Sequence, residues 1–282
     1  MGRPMAASLM KNGLEVLVYN RTKQRADDLL ARGARWANSP AEVAARSEIV
    51  IVMVSDDDAA QNVLVGPSGI IHQVGPGTVI ANMSTVSLER TRAFHAAMHE
   101  RKGLYLDAPV AGSTGAAKGG DLIIFVGGDK AAIDVAMPAF KAMGREVIHL
   151  GPSGSGITMK LITNAVLGLS VAACAEAFAL GKSAGLSMEA MVDAFSATSV
   201  ASPVLKRKGR LWREGRYPKA FSERGMLKDL TLASRLATQN EAPVPLIDLA
   251  RSIYTLGVVA GQGDEDFAAV LRSFERMQHG LR

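Results

Sequence analysis

A single cysteine, Cys174, is all this sequence carries, so no disulfide can form within the chain, and the pattern suits a reducing, cytoplasmic setting. Aromatic residues are scarce at 5%, which removes the stacking platforms that single-stranded nucleic acids need. No basic segment followed by an apolar stretch opens the chain. The most apolar run, after Asn164, is interrupted by Gly168, Ser170, Glu176 and Gly181, so neither a leader nor a membrane span is expected. Metal ligands are lacking too: His95 and His99 are four residues apart, but no third ligand accompanies them, and no metal is expected. The charge excess is small, +5 with a pI near 9.4. That suits an anionic cofactor or substrate as well as nucleic acid. The basic run Lys206-Arg207-Lys208-Gly209-Arg210 reads as a solvated helix face or as a field drawing in an anion, and no nucleic-acid partner is expected.

What is present is a chain of 282 residues, 48% of them hydrophobic, long enough to bury two cores. Apolar runs of strand length at 15–19, 48–54, 78–83, 104–110, 122–126 and 146–150 alternate with helical segments, which predicts a mainly parallel sheet covered on both faces. Thr22 is placed to cap a helix running to Gly33, Ser39-Pro40-Ala41-Glu42 has the form of a capping box, and Ser87 caps a helix to Gly103. After Gly151 the strand signal stops. Helical patterns follow at 154–184, 187–197, 202–214, 223–240, 243–262 and 264–278. The prediction is therefore an α/β Rossmann-like domain over residues 1–152 and an all-α domain over 153–282, joined by one long helix.

An alternating domain of this kind binds dinucleotides through a glycine-rich turn after its first strand, with the pyrophosphate on the following helix N-terminus. Here the chain begins with Met1-Gly2 and a helix, with no strand in front. Asn20-Arg21-Thr22 ends the next strand, where an acidic residue would accept from the ribose of NAD. A guanidinium and a hydroxyl suit a 2′-phosphate instead, so NADP is expected over NAD. A glycine-rich loop at 111–120 offers close backbone N–H groups to a carboxylate. Lys160 and Asn164 leave one face of the long helix a turn apart, among apolar neighbours. A snorkelling lysine with a hydrogen-bonded asparagine would account for them, and so would a proton donor with an orienting amide.

Four blocks make the chain resemble the β-hydroxyacid dehydrogenase family over essentially its whole length: Met1-Gly2-Arg3-Pro4-Met5-Ala6, Asp107-Ala108-Pro109-Val110-Ala111-Gly112-Ser113, Gly154 to Asn164 with its Gly-x-Gly-x-x-x-Lys-x-x-x-Asn spacing, and Lys228-Asp229-Leu230-Thr231-Leu232-Ala233. The family includes 3-hydroxyisobutyrate dehydrogenases, tartronate semialdehyde reductases and glyoxylate/succinic semialdehyde reductases. The resemblance implies hydride transfer between a nicotinamide and a small carboxylate-bearing aldehyde or 3-hydroxy acid, with Lys160 as general acid and base and Asn164 beside it. It implies cofactor contacts from Gly2, Asn20, Arg21, Thr22, Val54, Ser55, Thr85 and Lys228, and substrate contacts from Ala111, Gly112, Ser113, Phe221 and Asp229. Val54-Ser55 stands where Leu-Pro is usual, and Ala111-Gly112-Ser113 replaces Ser-Gly-Gly, which removes one hydroxyl. By the same pattern roughly 10 residues, a strand and the first glycines, are lacking ahead of Met1, and weak NADPH binding is expected of the chain as it stands. A homodimer or homotetramer is implied. Imine reductases share the architecture but usually carry Asp or Tyr where Lys160 stands, and a catalytically impaired NADP-binding homologue is the other alternative.

Overall fold

Val and Ile fill β3 (Ile49–Val52) and β4 (Val79–Asn82), as strands buried on both faces require. The computed structural model, which describes residues 1–280, pairs them in parallel with β5 (Leu104–Asp107), in a register that aligns Val52, Asn82 and Asp107 at their carboxyl ends. Alternation sorts their side chains. Val79, Ala81 and Leu106 face Met5, Ile133 and Phe140 on one side of the sheet, while Val50, Ile80 and Tyr105 face Leu64, Phe94 and Met98 on the other. The first side is covered by α1 (Gly2–Lys11) and, further along the chain, α7 (Lys130–Met143). The second is covered by α4 (Asp57–Val65) and α5 (Leu88–Glu100), with α3 (Pro40–Ala45) beyond them. Ser39 accepts from the Glu42 N–H and Ser87 from the Arg90 N–H, which starts α3 and α5 where their capping residues stand.

Three local expectations give way. The segment from Thr22 is a 3-10 turn, Lys23–Ala26, and then α2 (Asp27–Leu30). Thr22 makes no capping bond, because the turn is closed instead by the Asn20 amide donating to the Thr22 carbonyl at 2.7 Å. The strand expected at 104–110 breaks at Ala108-Pro109 into β5 and β6 (Val110–Ala111). β7 (Leu122–Gly127) then returns antiparallel to both, since the connection contains only a six-residue helix, α6 (Thr114–Gly119), and no crossover helix spanning the sheet. β8 (Gly144–Gly151) follows α7 and pairs parallel with β7. The expected strand at 15–19 shortens to β1 (Leu17–Val18). It pairs only with β2 (Arg35–Trp36), in a separate two-stranded sheet. A strand with one partner has half the ladder to hold it extended.

The chain divides into two units at Lys160, inside α8 (Ser155–Ser183) and beyond the change of pattern at 152. From Leu161 onward the described residues are helical: the rest of α8, then α9 (Met188–Ala197), α10 (Pro203–Glu214), α11 (Glu223–Gln239), α12 (Pro245–Gly257) and α13 (Leu271–Gly280). The last two residues of the expected second domain lie outside the described ones. By length and composition alone α8 could cross a membrane. Its Gly168, however, has Met226 and Leu230 of α11 against it, and its Gly168 carbonyl accepts from the buried Tyr254 hydroxyl of α12, as a core helix does.

Candidate active site

In open α/β sheets ligands gather outside the carboxyl ends of the parallel strands. There the first unit concentrates its short polar side chains. The Asn82 carbonyl oxygen accepts from the Ser84 N–H, and its amide donates to the Tyr105 hydroxyl. The Ser84 hydroxyl donates to the Val52 carbonyl and accepts from the Val54 N–H at 2.9 Å, which ties the ends of β3 and β4 together. Val54, Ser55 and Thr85 emerge from this buried clamp, each partly exposed or more. Ser55 donates to Asp56, the residue that caps α4. Nearby, the N-terminus of α1 has no capping side chain and no acidic residue in its first turn, so its orphan N–H groups face no competing anion from their own turn. Arg21 is exposed at the turn that ends β1. This donor set fits an anionic dinucleotide.

Asp107, at the end of β5, is 2% exposed and anchors α8. Its carboxylate accepts from the Gly154 N–H at 2.7 Å, the Ile157 N–H at 2.8 Å and the Ser153 hydroxyl. Burial pushes its carboxyl up from the ordinary range, and these hydrogen bonds pull part of the way back. The carboxylate thus satisfies orphan donors of a helix that has no room for a side-chain cap. A Cβ on Gly156 would lie 2.5 Å from the Asp107 carbonyl and 2.7 Å from that of Phe125, and Gly154 stands at φ +100°. Both glycines of the Gly154-Ser155-Gly156 opening are therefore required, one for its conformation and one for its lack of bulk. Lys160 lies one turn beyond the anchored residues and is partly exposed.

The glycine-rich segment is less of a loop than its composition suggests. Gly112 holds φ +140° with Leu122 and Ala116 where a Cβ would go, and Ser113 caps α6 by accepting from the Ala116 N–H. Ala111 and Ser113 remain partly exposed or more.

In the second unit Asn164 is buried and donates its amide to Asp229 at 2.5 Å. Lys228 stands 3.0 Å from the other Asp229 oxygen. Asp229 is 2% exposed, so its charge is held by an amide on one side and an ammonium on the other. Phe221 stacks edge-on against Phe267 and lies over Gly225, where a Cβ would come within 2.7 Å of its ring, one turn before the Lys228-Asp229 pair.

Two family profiles match the chain: the NAD-binding domain of 6-phosphogluconate dehydrogenase over residues 1–151, and the NAD-binding region of NADP-dependent 3-hydroxyisobutyrate dehydrogenase over residues 154–274. Glyoxylate/succinic semialdehyde reductase 1 of Arabidopsis thaliana is 35% identical over 97% of this chain and 94% of its own. The NAD-dependent L-serine dehydrogenase of Pseudomonas aeruginosa is 32% identical over 99% and 96%. The solved 3-hydroxyisobutyrate dehydrogenase of Salmonella typhimurium superposes with a TM-score of 0.88 at 28% identity, covering 96% of this chain and 95% of that one. The chain belongs to the β-hydroxyacid dehydrogenase family.

As a member of that family it is a nicotinamide-dependent oxidoreductase, with a Rossmann-like domain followed by a helical one. Of the residues that the family pattern singles out, Val54, Ser55 and Thr85 share the carboxyl end of the β3–β5 sheet, and Asn164, Asp229 and Lys228 form one bonded cluster. Asn82, Ser84 and the anchoring role of Asp107 escaped the sequence reading. The aligned strand ends could have pointed to Asn82 and Asp107, since a polar residue closing an apolar run rarely lacks a buried partner. The basic run is not simply a solvated face. Lys208 is buried on Asp266, with 2.7 Å to both carboxylate oxygens, and lies over the Phe267 ring. Arg210 pairs with Glu214, and Arg213 with Asp193. Cys174, expected in the core, is half-buried, and burial raises its thiol.

Proposed function

We propose that the chain is an NADP-preferring reductase of small carboxylate-bearing aldehydes, running in reverse as a 3-hydroxyacid dehydrogenase. The observation that carries this reading is one lysine and one buried asparagine, Lys160 and Asn164, a turn apart on α8, with Asn164 held by the Asp229–Lys228 pair. When bound, the reduced nicotinamide supplies a hydride to the carbonyl carbon. Lys160, as an ammonium, gives a proton to the carbonyl oxygen as that oxygen gains charge; in the reverse direction its amine takes the proton from the hydroxyl. Asn164, its amide fixed by Asp229, positions the oxygen that receives the proton. Lys228 offsets the Asp229 charge, so that this buried carboxylate does not repel the substrate's own. Backbone N–H groups and the hydroxyl at Ala111, Gly112 and Ser113 receive the substrate carboxylate, and Phe221 gives its carbon chain an apolar wall.

The cofactor preference rests on Asn20, Arg21 and Thr22, which bring a guanidinium and no carboxylate to the end of β1, with Gly2 at the helix N-terminus for the pyrophosphate. Relatives named for glyoxylate, succinic semialdehyde, L-serine and 3-hydroxyisobutyrate support the class of substrate. The test is oxidation of NADPH and of NADH with succinic semialdehyde, glyoxylate and tartronate semialdehyde. Turnover on at least one acid, faster with NADPH, is expected. No turnover on any of them contradicts the reading.

A further inference from the structure

The second unit leaves apolar seams uncovered. On α12, Leu246, Leu249, Ile253 and Leu256 recur at alternating steps of three and four, the spacing of a helix–helix seam, and Val259 continues the row. On α8, Ile162, Val166, Leu169 and Leu180 lie on a row of the same period. The large residues of these rows are far from buried, running from 50% exposed at Ile162 to 80% at Val259. Isolated exposed leucines are ordinary, but a periodic row on each of two helices is not.

We propose that a second copy of this chain covers these seams, giving a two-fold dimer through the helical unit. Three observations select that occupant. Ile162, Val166, Leu180, Leu246, Leu249, Leu256 and Val259 expose roughly 100 Å² apiece, which makes about 700 Å² per copy against the ~800 Å² per partner of a stable interface. The two charges of α12, Asp248 and Arg251, are turned to each other, and Asp248 also accepts from Ser234 of α11, so the seam itself is uncharged. Such a row is self-complementary about a two-fold axis, where any residue of one copy can meet its counterpart row on the other. A bilayer surface is the less fitting occupant. A helix lying on lipid has basic residues along its rim, whereas α12 has Ser252, Thr255 and one already paired arginine.

Sedimentation velocity of the full chain at micromolar concentration tests this, with the double variant Leu249→Glu/Leu256→Glu and, as a control on the other unit, Val135→Glu. Wild type and Val135→Glu are expected to sediment as dimers or multiples of them, and the double variant as a monomer with unchanged far-ultraviolet circular dichroism. Should the double variant unfold, Val166→Glu on α8 replaces it, with the same expectation of a weakened dimer. A monomeric wild type overturns the proposal, as do folded seam variants that still assemble as wild type does. So does a wild type that stays monomeric in solution and floats with phosphatidylcholine–phosphatidylglycerol vesicles, which would assign the seams to lipid.

Discussion

Asp107 is a carboxylate spent on a helix. Exchanging one oxygen for an amide in Asp107→Asn leaves a buried N–H of Gly154 or Ile157 facing a donor, which costs about 1–3 kcal/mol. Urea denaturation should show a lower midpoint with an unchanged slope; an unchanged midpoint would mean the three bonds contribute nothing net. Arg21 carries the cofactor preference. Arg21→Ala should raise KM for NADPH about tenfold, the worth of one charge-assisted contact, and leave KM for NADH where it was. Equal effects on the two cofactors would remove the 2′-phosphate from the account. At this scale the sequence was partly legible. Lys160 and Asn164 stand out as polar residues in an apolar helix, and Arg21 as a cation where a carboxylate would serve NAD. Asp107 and Lys208 do not stand out, because their partners lie at Gly154 and Asp266, and nothing local signals so distant a pairing.

The elements follow local chemistry where the chemistry is local. Ser39 and Ser87 start α3 and α5 because their hydroxyls reach an N–H three residues on. The break at Ala108-Pro109 and the antiparallel return of β7 depend on which edge is open in the folded sheet, and the apolar period of a strand does not encode that. α8 shows how closely element and site are bound. Gly156→Ala would force the helix opening off Asp107 and Phe125, where a Cβ has 2.5 Å and 2.7 Å of room. The expected outcome is a loss of about 1–3 kcal/mol, the range for overpacking, together with a fall in kcat, because Lys160 sits one turn beyond. Full activity with full stability in this variant would show that the close approach has no role in placing the lysine.

At the scale of the molecule, one buried acid makes stability depend on pH. Glu223 is 0% exposed, and neither of its carboxylate oxygens has a hydrogen-bond partner among the described residues. Burial, reinforced by Glu265 and offset by Arg276 and Arg272, pushes it up from 4.5 to about 8. Between those values the folded chain holds a proton that the unfolded chain has lost, so stability falls as pH rises through that window. Tm should decline from pH 5 toward pH 8, and Glu223→Gln should flatten the decline. An identical slope in the variant would show that Glu223 already has a partner in solution.

The central claim is that Lys160 moves the proton, and kcat for NADPH-dependent reduction by wild type and Lys160→Ala tests it most directly, with the Kd for NADPH measured alongside by fluorescence. Loss of the acid should lower kcat by about 10²–10⁴ with Kd unchanged. Equal kcat in the two proteins would contradict the account.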